Sequence, residues 1–373
     1  MKKSKKEESM MIYISMLLIF LPLVLITAIT PYITRKTESF GITIPSDVYQ
    51  HPTIAGFRKK YAFQSGLAGV LILVILGIAA VFTTDFLWTI LYTVGVFVYI
   101  LVAFIIYYQF HKKMKELKEK ENWKSKKKEV VAVDLSFYNK KLTYSNGWFL
   151  LPLIITIFSF LWTFWNYDRM PEKLPMHYTL DGVVDNWADK SYRAVLLFPL
   201  IQLFMLGLFV FINIIIGRSK QQMDPANPEE SIKQNIIFRR RWSLFTIISG
   251  TMMVLLFTLP QASFVYPIDP FLSFIITMVV VGVIVIGAGV LSIVTGQGGS
   301  RVNVTNRKTG EIMNRDDDRY WKLGVFYFNP DDPAVWVEKR FGSGWTNNFA
   351  RPTSWIFLIL ILLIPILIAV FAS

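Results

Sequence analysis

Cysteine is absent from this 373-residue chain, which excludes disulfides and thiolate metal sites but leaves the redox compartment open. Histidine is almost absent: His51, His111 and His177 are the three. All lie in loops or at the edges of apolar runs, so a Ser–His–Asp arrangement has no place. The apolar runs themselves contain no Asp, Glu, Lys or Arg. Ion-coupled pumps, voltage sensors and intramembrane aspartyl or metalloproteases need such groups at mid-membrane. The helical metalloprotease pattern H-E-x-x-H is missing. Gly296-Gln297-Gly298-Gly299-Ser300 lacks the Lys-Ser/Thr of a phosphate loop. Ser343, between two glycines, has no histidine near it to activate it. Neither an enzyme, a cofactor nor a bound metal is expected.

What the chain has is apolar length. It is 53% hydrophobic, with a mean hydropathy of +0.44. Eight runs, 10–33, 64–83, 87–110, 148–166, 194–217, 242–262, 271–295 and 353–372, each approach or exceed the roughly 20 residues that cross a bilayer as a helix. The first run exceeds a signal-peptide core and no small-residue cleavage site follows it, so it is expected to be retained. The fold class is therefore an all-α polytopic membrane protein of about eight transmembrane helices, with the lipid bilayer as its first partner.

Charge sets the orientation. The net charge is +13. Loops 34–63, 111–147, 218–241 and 296–352 hold 31 Lys and Arg, and the alternate set holds 8. The positive-inside rule places the first set in the cytoplasm and loop 167–193 outside. This sorting to one face explains the basic character without a nucleic-acid partner. The basic N-terminus, Lys2-Lys3-Ser4-Lys5-Lys6, disagrees. Either it translocates, or one of the first three runs does not span; the 64–110 hairpin, turning at Thr84-Asp85-Phe86, is the weakest.

On the basic side, residues 40–45 read as a short extended stretch stopped by Pro45. Residues 111–128 read as a solvated, Lys/Glu-rich extension of the third helix; an anionic-lipid patch is the alternative. Residues 130–145 suggest a hairpin turning at Asn139-Lys140-Lys141. Residues 296–352 form the largest soluble piece, with strand-like stretches at 301–305, 310–313, 323–328 and 334–337. Asp316-Asp317-Asp318 reads as a solvated turn or strand lead-in. About 57 residues is marginal for an independent core, so a small β-rich module packed on neighbouring loops is expected. This divides the chain into a three-helix region (1–147), a helix pair with its loop (148–217), two further helices (218–295), the module (296–352) and a last helix (353–373). Proline at 22, 152, 199 and 365 in apolar surroundings is weak evidence for broken helices. Thr156, Gln202 and Asn213 are read as helix–helix hydrogen bonds or as the lining of a water path.

Loop 167–193 carries the most specific pattern: Leu174-Pro175-Met176-His177-Tyr178, Asp181-Gly182, Asp185-Asn186-Trp187 and Asp189-Lys190-Ser191. His177 and Asp181 would share one face of a helix, but Pro175 and Gly182 favour turns, with Asp185 capping one and Trp187 at the interface. A rigid aromatic among polar groups also suits recognition.

This loop resembles the DUF1648 module of bacterial membrane proteins, shared with the SdpI-like immunity proteins. The usual form is a span, an outer P-x-H-[FY]-N-x-x-G-x-x-[DN]-x-[WY] loop and a second span; Thr179 stands where Asn is usual. The resemblance implies ligand contacts by Pro175, His177, Asp181, Gly182, Asp185, Trp187 and Lys190. The stretch from Asp316 through Asn329-Pro330-Asp331-Asp332-Pro333 to Gly344-Trp345-Thr346-Asn347-Asn348-Phe349 is similar to the DUF5808 module. That points to Trp321, Gly324, Asn329, Asp332, Gly344, Trp345 and Asn348. The family implies immunity to, or signalling of, a secreted peptide or envelope stress, with a regulator protein held on the cytoplasmic side of the bacterial cell membrane. The alternative is a membrane component that transports a small amphiphile or peptide.

Overall fold

The computed structural model describes residues 2–123, 140–178, 184–222, 228–304 and 317–372. Ten helices carry the fold among them: α1 (Lys2–Ile33), α2 (Pro52–Phe82), α3 (Asp85–Lys120), α4 (Leu150–Trp165), α5 (Tyr192–Val195), α6 (Leu197–Arg218), α7 (Pro228–Leu256), α8 (Thr258–Ala262), α9 (Pro270–Thr295) and α10 (Pro352–Ala372). Seven helical stretches are long and apolar enough to cross a membrane. The remaining sequence run falls in α1, whose described apolar part is Leu17–Ile33. The chain is an all-α polytopic membrane protein with small two-stranded sheets.

Apolar side chains such as Ile75, Leu161, Val279 and Leu362 stand exposed on the outer faces of these helices. In water so much exposed apolar surface would aggregate; in a bilayer it is the solvated surface. Helices are the form that satisfies every backbone group there. Between helices, close approach replaces the hydrophobic drive. A Cβ added at Gly250 of α7 would fall 2.8 Å from the Phe209 ring of α6.

Helices α1, α2 and α3 pack in sequence, α9 joins α1 to α7, and α4, α6 and α7 form the second group, with α10 against α6. α1 and α10 run through Pro22, Pro31 and Pro365 as continuous helices. Pro152 and Pro199 fall in the first turns of α4 and α6, where a proline N–H would be free anyway. Pro22, Pro31 and Pro365 interrupt no helix, whereas the apolar stretch that holds Pro199 breaks at Leu196, between α5 and α6. Thr156, Gln202 and Asn213 are all buried, and each is bonded. Thr156 donates to Pro152 O in its own helix. Gln202 Nε2 donates to Val254 O across α6 and α7 at 3.0 Å. Asn213 donates to Tyr144 O and accepts from Ser243 Oγ.

Among the described residues, eight short strands pair as four antiparallel hairpins: β1 (Glu38–Ser39) with β2 (Ile42–Thr43), β3 (Lys173–Tyr178) with β4 (Val184–Asp189), β5 (Trp321–Lys322) with β6 (Phe326–Tyr327), and β7 (Trp336–Glu338) with β8 (Trp345–Asn347). Three lie at the end of the bundle where the basic loops gather, called here the basic face. The β3–β4 hairpin lies at the opposite end, beside the 263–266 turn that follows α8.

The strand expectations hold in part. The 323–328 stretch is broken, because Leu323 (φ 52°) and Gly324 (φ 73°) form the turn between β5 and β6. The 334–337 stretch becomes β7, displaced to 336–338. Phe40 and Gly41 also have positive φ, so they are the turn of the β1–β2 hairpin rather than extended chain. The 130–145 hairpin turn and the 301–313 hairpin fall largely outside the described residues. Of the former, Leu142 packs on Ile232, and Tyr144 N donates to Ser243 Oγ.

Candidate functional site

Two constellations stand out, one at each end of the bundle. The first is the β3–β4 hairpin. Its register pairs Lys173 with Asp189, Leu174 with Ala188, Pro175 with Trp187, and His177 with Asn186. Irregularities flank His177. Alternation then decides the faces. Leu174, Met176 and Ala188 pack with Met170, Ala194, Val195, Phe198 and Phe264. Pro175 and Trp187 fall on the other face, where Trp187 is 53% exposed. Asp185 is thus a strand residue rather than a turn cap, and His177 and Trp187 also lie in strands. The tip, with Asp181 and Gly182, lies outside the described residues, as do the side chains of His177 and Asp185.

The base of the hairpin is fastened. Lys190 Nζ donates to Met170 O at 3.1 Å, lies 3.3 Å from the Glu172 carboxylate, and sits 5.2 Å from the Tyr167 ring centre. Lys190 N donates to Glu172 O. Tyr167 stacks on Tyr192 at 4.2 Å. Lys190, anticipated as a ligand contact, is thereby engaged in closing the hairpin. Ser191 caps α5 by accepting from Ala194 N. The base of the hairpin is thus tied to the segments that join it to α4 and α5.

The second constellation is the basic face. Asn348 is fully buried; its side chain donates to Asn329 O, Asp332 O and Ala334 O and accepts from Asn329 N and Ala350 N. Asp332 accepts from Lys220 Nζ at 2.5 Å and from Tyr327 Oη at 2.8 Å. Burial alone would raise its pKa, but Lys220 and Ala334 N hold it below the usual carboxylate value. Trp321 packs on Tyr327 and lies under the Arg340 guanidinium. Trp345 packs on Phe238 of α7. Gly344 N donates to Gln297 Oε1, and Gln297 Nε2 donates back to Gly344 O. The Gly-rich segment after α9 therefore holds the β7–β8 hairpin. Gly324 and Gly41 are the tips of two hairpins that touch: a Cβ at Gly41 would lie 2.4 Å from Gly324 O. Tyr107 Oη donates to Leu323 O at 3.0 Å beside them. All seven module residues singled out in the sequence are thus tied into the module and its supports.

Charges missed in the sequence hold the module to the helices. Glu338 of β7 is fully buried and pairs with Arg35, just past α1, and with Arg239 of α7. Arg239 also donates to Ile216 O and Ser219 O, closing the C-terminal end of α6. Arg340 pairs with Asp317 and Asp318, and Lys118 of α3 donates to Asp318 Oδ2 at 2.7 Å. Asp317 and Asp318 are therefore not a solvated turn, and Lys118 is buried rather than part of a solvated extension. Although burial would raise it, Arg340 and Lys118 lower the Asp318 pKa to about 2. Phe341 completes the joint, 4.5 Å from Tyr107 and 5.7 Å from Tyr61. The available signal was the Glu338–Arg340 spacing, two charges on one face of a strand-like stretch; a small module presenting them inward needs partners from elsewhere.

Residues 149–203 match the family model described as "Domain of unknown function (DUF1648)". Residues 330–355 match that of the "Family of unknown function (DUF5808)". The first match spans α4, the β3–β4 hairpin and the start of α6; the second spans β7, β8 and the first turn of α10. No curated protein and no solved structure matches the chain.

Proposed function

We propose that this multi-pass membrane protein is a non-enzymatic recognition protein of the bacterial cell membrane, working in immunity or signalling as SdpI-like proteins do. In this reading the β3–β4 hairpin faces outward and meets a secreted peptide or an envelope perturbation. The basic face lies in the cytoplasm and holds a regulator protein. The observation that carries the reading is the fastened hairpin with its Pro175–Trp187 pair turned away from the core and Trp187 exposed. Rigid aromatic anchors lose little entropy on binding.

Support over the transport reading comes from the bundle interior. Its polar side chains at 156, 202 and 213 are buried and engaged in hydrogen bonds rather than lining an open path.

Trp187→Ala and Asp185→Ala test the proposal. Each should abolish a protective or signalling phenotype, scored by challenge with secreted antimicrobial peptides, at near wild-type abundance. If abundance falls in step with activity, the hairpin is a structural clamp and the proposal fails.

A further inference from the structure

A second site lies on the basic face, away from the hairpin and independent of the reading above. Where α1 ends, α2 begins and the chain leaves α9, there is a cleft of about 310 Å³. That is near the lower end of small-ligand sites, roughly 300–1,000 Å³. Lys36, Arg58, Lys59 and Arg301 line it, and no carboxylate does.

Arg58 is the informative member. It is buried, its guanidinium lies 4.0 Å from the Tyr49 ring centre, and Nη2 donates to Tyr49 O at 2.8 Å. Nη1 is buried with no hydrogen-bond partner. An unsatisfied buried guanidinium nitrogen is costly, and an anionic oxygen would satisfy it. Arg301 is fixed by donating to Ile293 O and Tyr32 O. Those carbonyls orient its charge without neutralising it. Lys36 and Lys59 are exposed, and no ion pair engages them among the described residues. Ala55, in the first turn of α2, also lines the cleft, so the positive end of that helix adds to the field.

Five other cations of this face are taken up in ion pairs. Arg35 and Arg239 pair with Glu338, Arg340 with Asp317 and Asp318, Lys118 with Asp318, and Lys220 with Asp332. The depth of the cleft is also suggestive: Phe63, one turn beyond Lys59 on α2, is exposed and begins the apolar surface. The cleft therefore lies within about one helical turn of the exposed apolar surface of α2.

We propose that this cleft binds a phosphate-bearing anion, held by the combined charge of Lys36, Arg58, Lys59 and Arg301. The phosphate comes either from an anionic phospholipid headgroup or from solution.

The full-length protein in nanodiscs distinguishes the two sources. In one arm, native mass spectrometry compares retained phosphatidylglycerol with phosphatidylcholine. In the other, thermal unfolding in phosphatidylcholine discs is followed with inorganic phosphate against chloride at equal ionic strength. Preferential retention of phosphatidylglycerol, reduced roughly fivefold by each of Lys36→Gln and Lys59→Gln and further by Arg58→Gln, supports the site with a lipid source. Stabilisation by phosphate that disappears in the same variants supports it with a soluble source. Both lysines are exposed, so the test stands even where Arg58→Gln does not fold. Lys140→Gln with Lys141→Gln, two exposed lysines ahead of α4, removes as much charge elsewhere as both cleft lysines together. No preference in either arm, or an equal loss in that control, overturns the proposal.

Discussion

Arg239 of α7 and Glu338 of β7 meet at 3.2 Å with both side chains fully buried. Neither residue adjoins the other in sequence, yet the pair fastens the module to the helices. Arg239 Nε donates to Asn235 Oδ1 at 2.6 Å, and Asn235 Nδ2 donates to Glu338 Oε1 at 2.8 Å. The triangle is closed by hydrogen bonds, which a buried ion pair needs to offset its desolvation.

Removing one member should therefore cost more than removing the pair. Glu338→Ala leaves Arg239 and Arg35 buried without their carboxylate, and a loss of about 3–5 kcal/mol is expected. Replacing Glu338 and Arg239 together by Leu and Met should recover part of it. Thermal unfolding in detergent measures both. A double variant no more stable than Glu338→Ala would show that the pair is not a coupled unit.

Glu38 makes stability depend on pH. Burial raises its pKa to about 7 from the ordinary 4.5, against the pull of Arg35 and Arg340 and with Asp317 and Asp318 adding to the rise. The folded protein then holds a proton that the unfolded chain has lost, so stability falls as pH rises from 4.5 through 7. Asp318 acts oppositely, but its lowered pKa of about 2 confines its effect to acid below 3.8. Glu38→Gln should flatten the unfolding temperature between pH 5 and 7 (values chosen within the Glu38 window). An unchanged slope would remove Glu38 as its source.

Asn348 should be intolerant of even conservative change. Its amide reaches three carbonyls and its oxygen accepts two backbone N–H groups. Asn348→Ala leaves several buried groups unsatisfied, each costing about 1–3 kcal/mol. Asn348→Asp keeps the acceptor and loses the donor, so it should also fail. The check is the detergent melting temperature, and a shift below about 2 °C, roughly what 1–2 kcal/mol produces in a chain this size, would contradict the hub.

The module should not fold by itself. Within 296–352, Glu338 relies on Arg35 and Arg239, Asp318 on Lys118 and Thr43, and Phe341 on Tyr61 and Tyr107. All these partners lie outside the segment. The excised fragment should give poorly dispersed NMR spectra, whereas a cooperatively melting fragment would show an autonomous domain.

Orientation is testable because the chain has no cysteine of its own. Cysteine placed at exposed Asn186, in β4, should react with an impermeant reagent in intact cells. Cysteine at exposed Lys140, on the other side of α4, should react only after lysis. The reverse pattern would invert the orientation.

The sequence alone determined the class of this protein. Uninterrupted apolar runs of spanning length have one stable arrangement in lipid, because each helix satisfies its own backbone; no distant residue is needed to read it. The Pro175–Trp187 stretch was legible as a motif but not in its form, because the turns read there are paired strands. Which residues face outward was not legible until the register paired Pro175 with Trp187 and placed Leu174 and Ala188 inward. The joint at the basic face was decided by tertiary structure alone. Arg35, Lys118, Arg239, Asp318, Glu338 and Arg340 look like ordinary solvated charges in sequence, because a charge is identified as buried only by the partner that neutralises it. Here those partners lie as far as 303 positions apart, from Arg35 to Glu338, and only the packing of α1, α3 and α7 around the module brings them within reach.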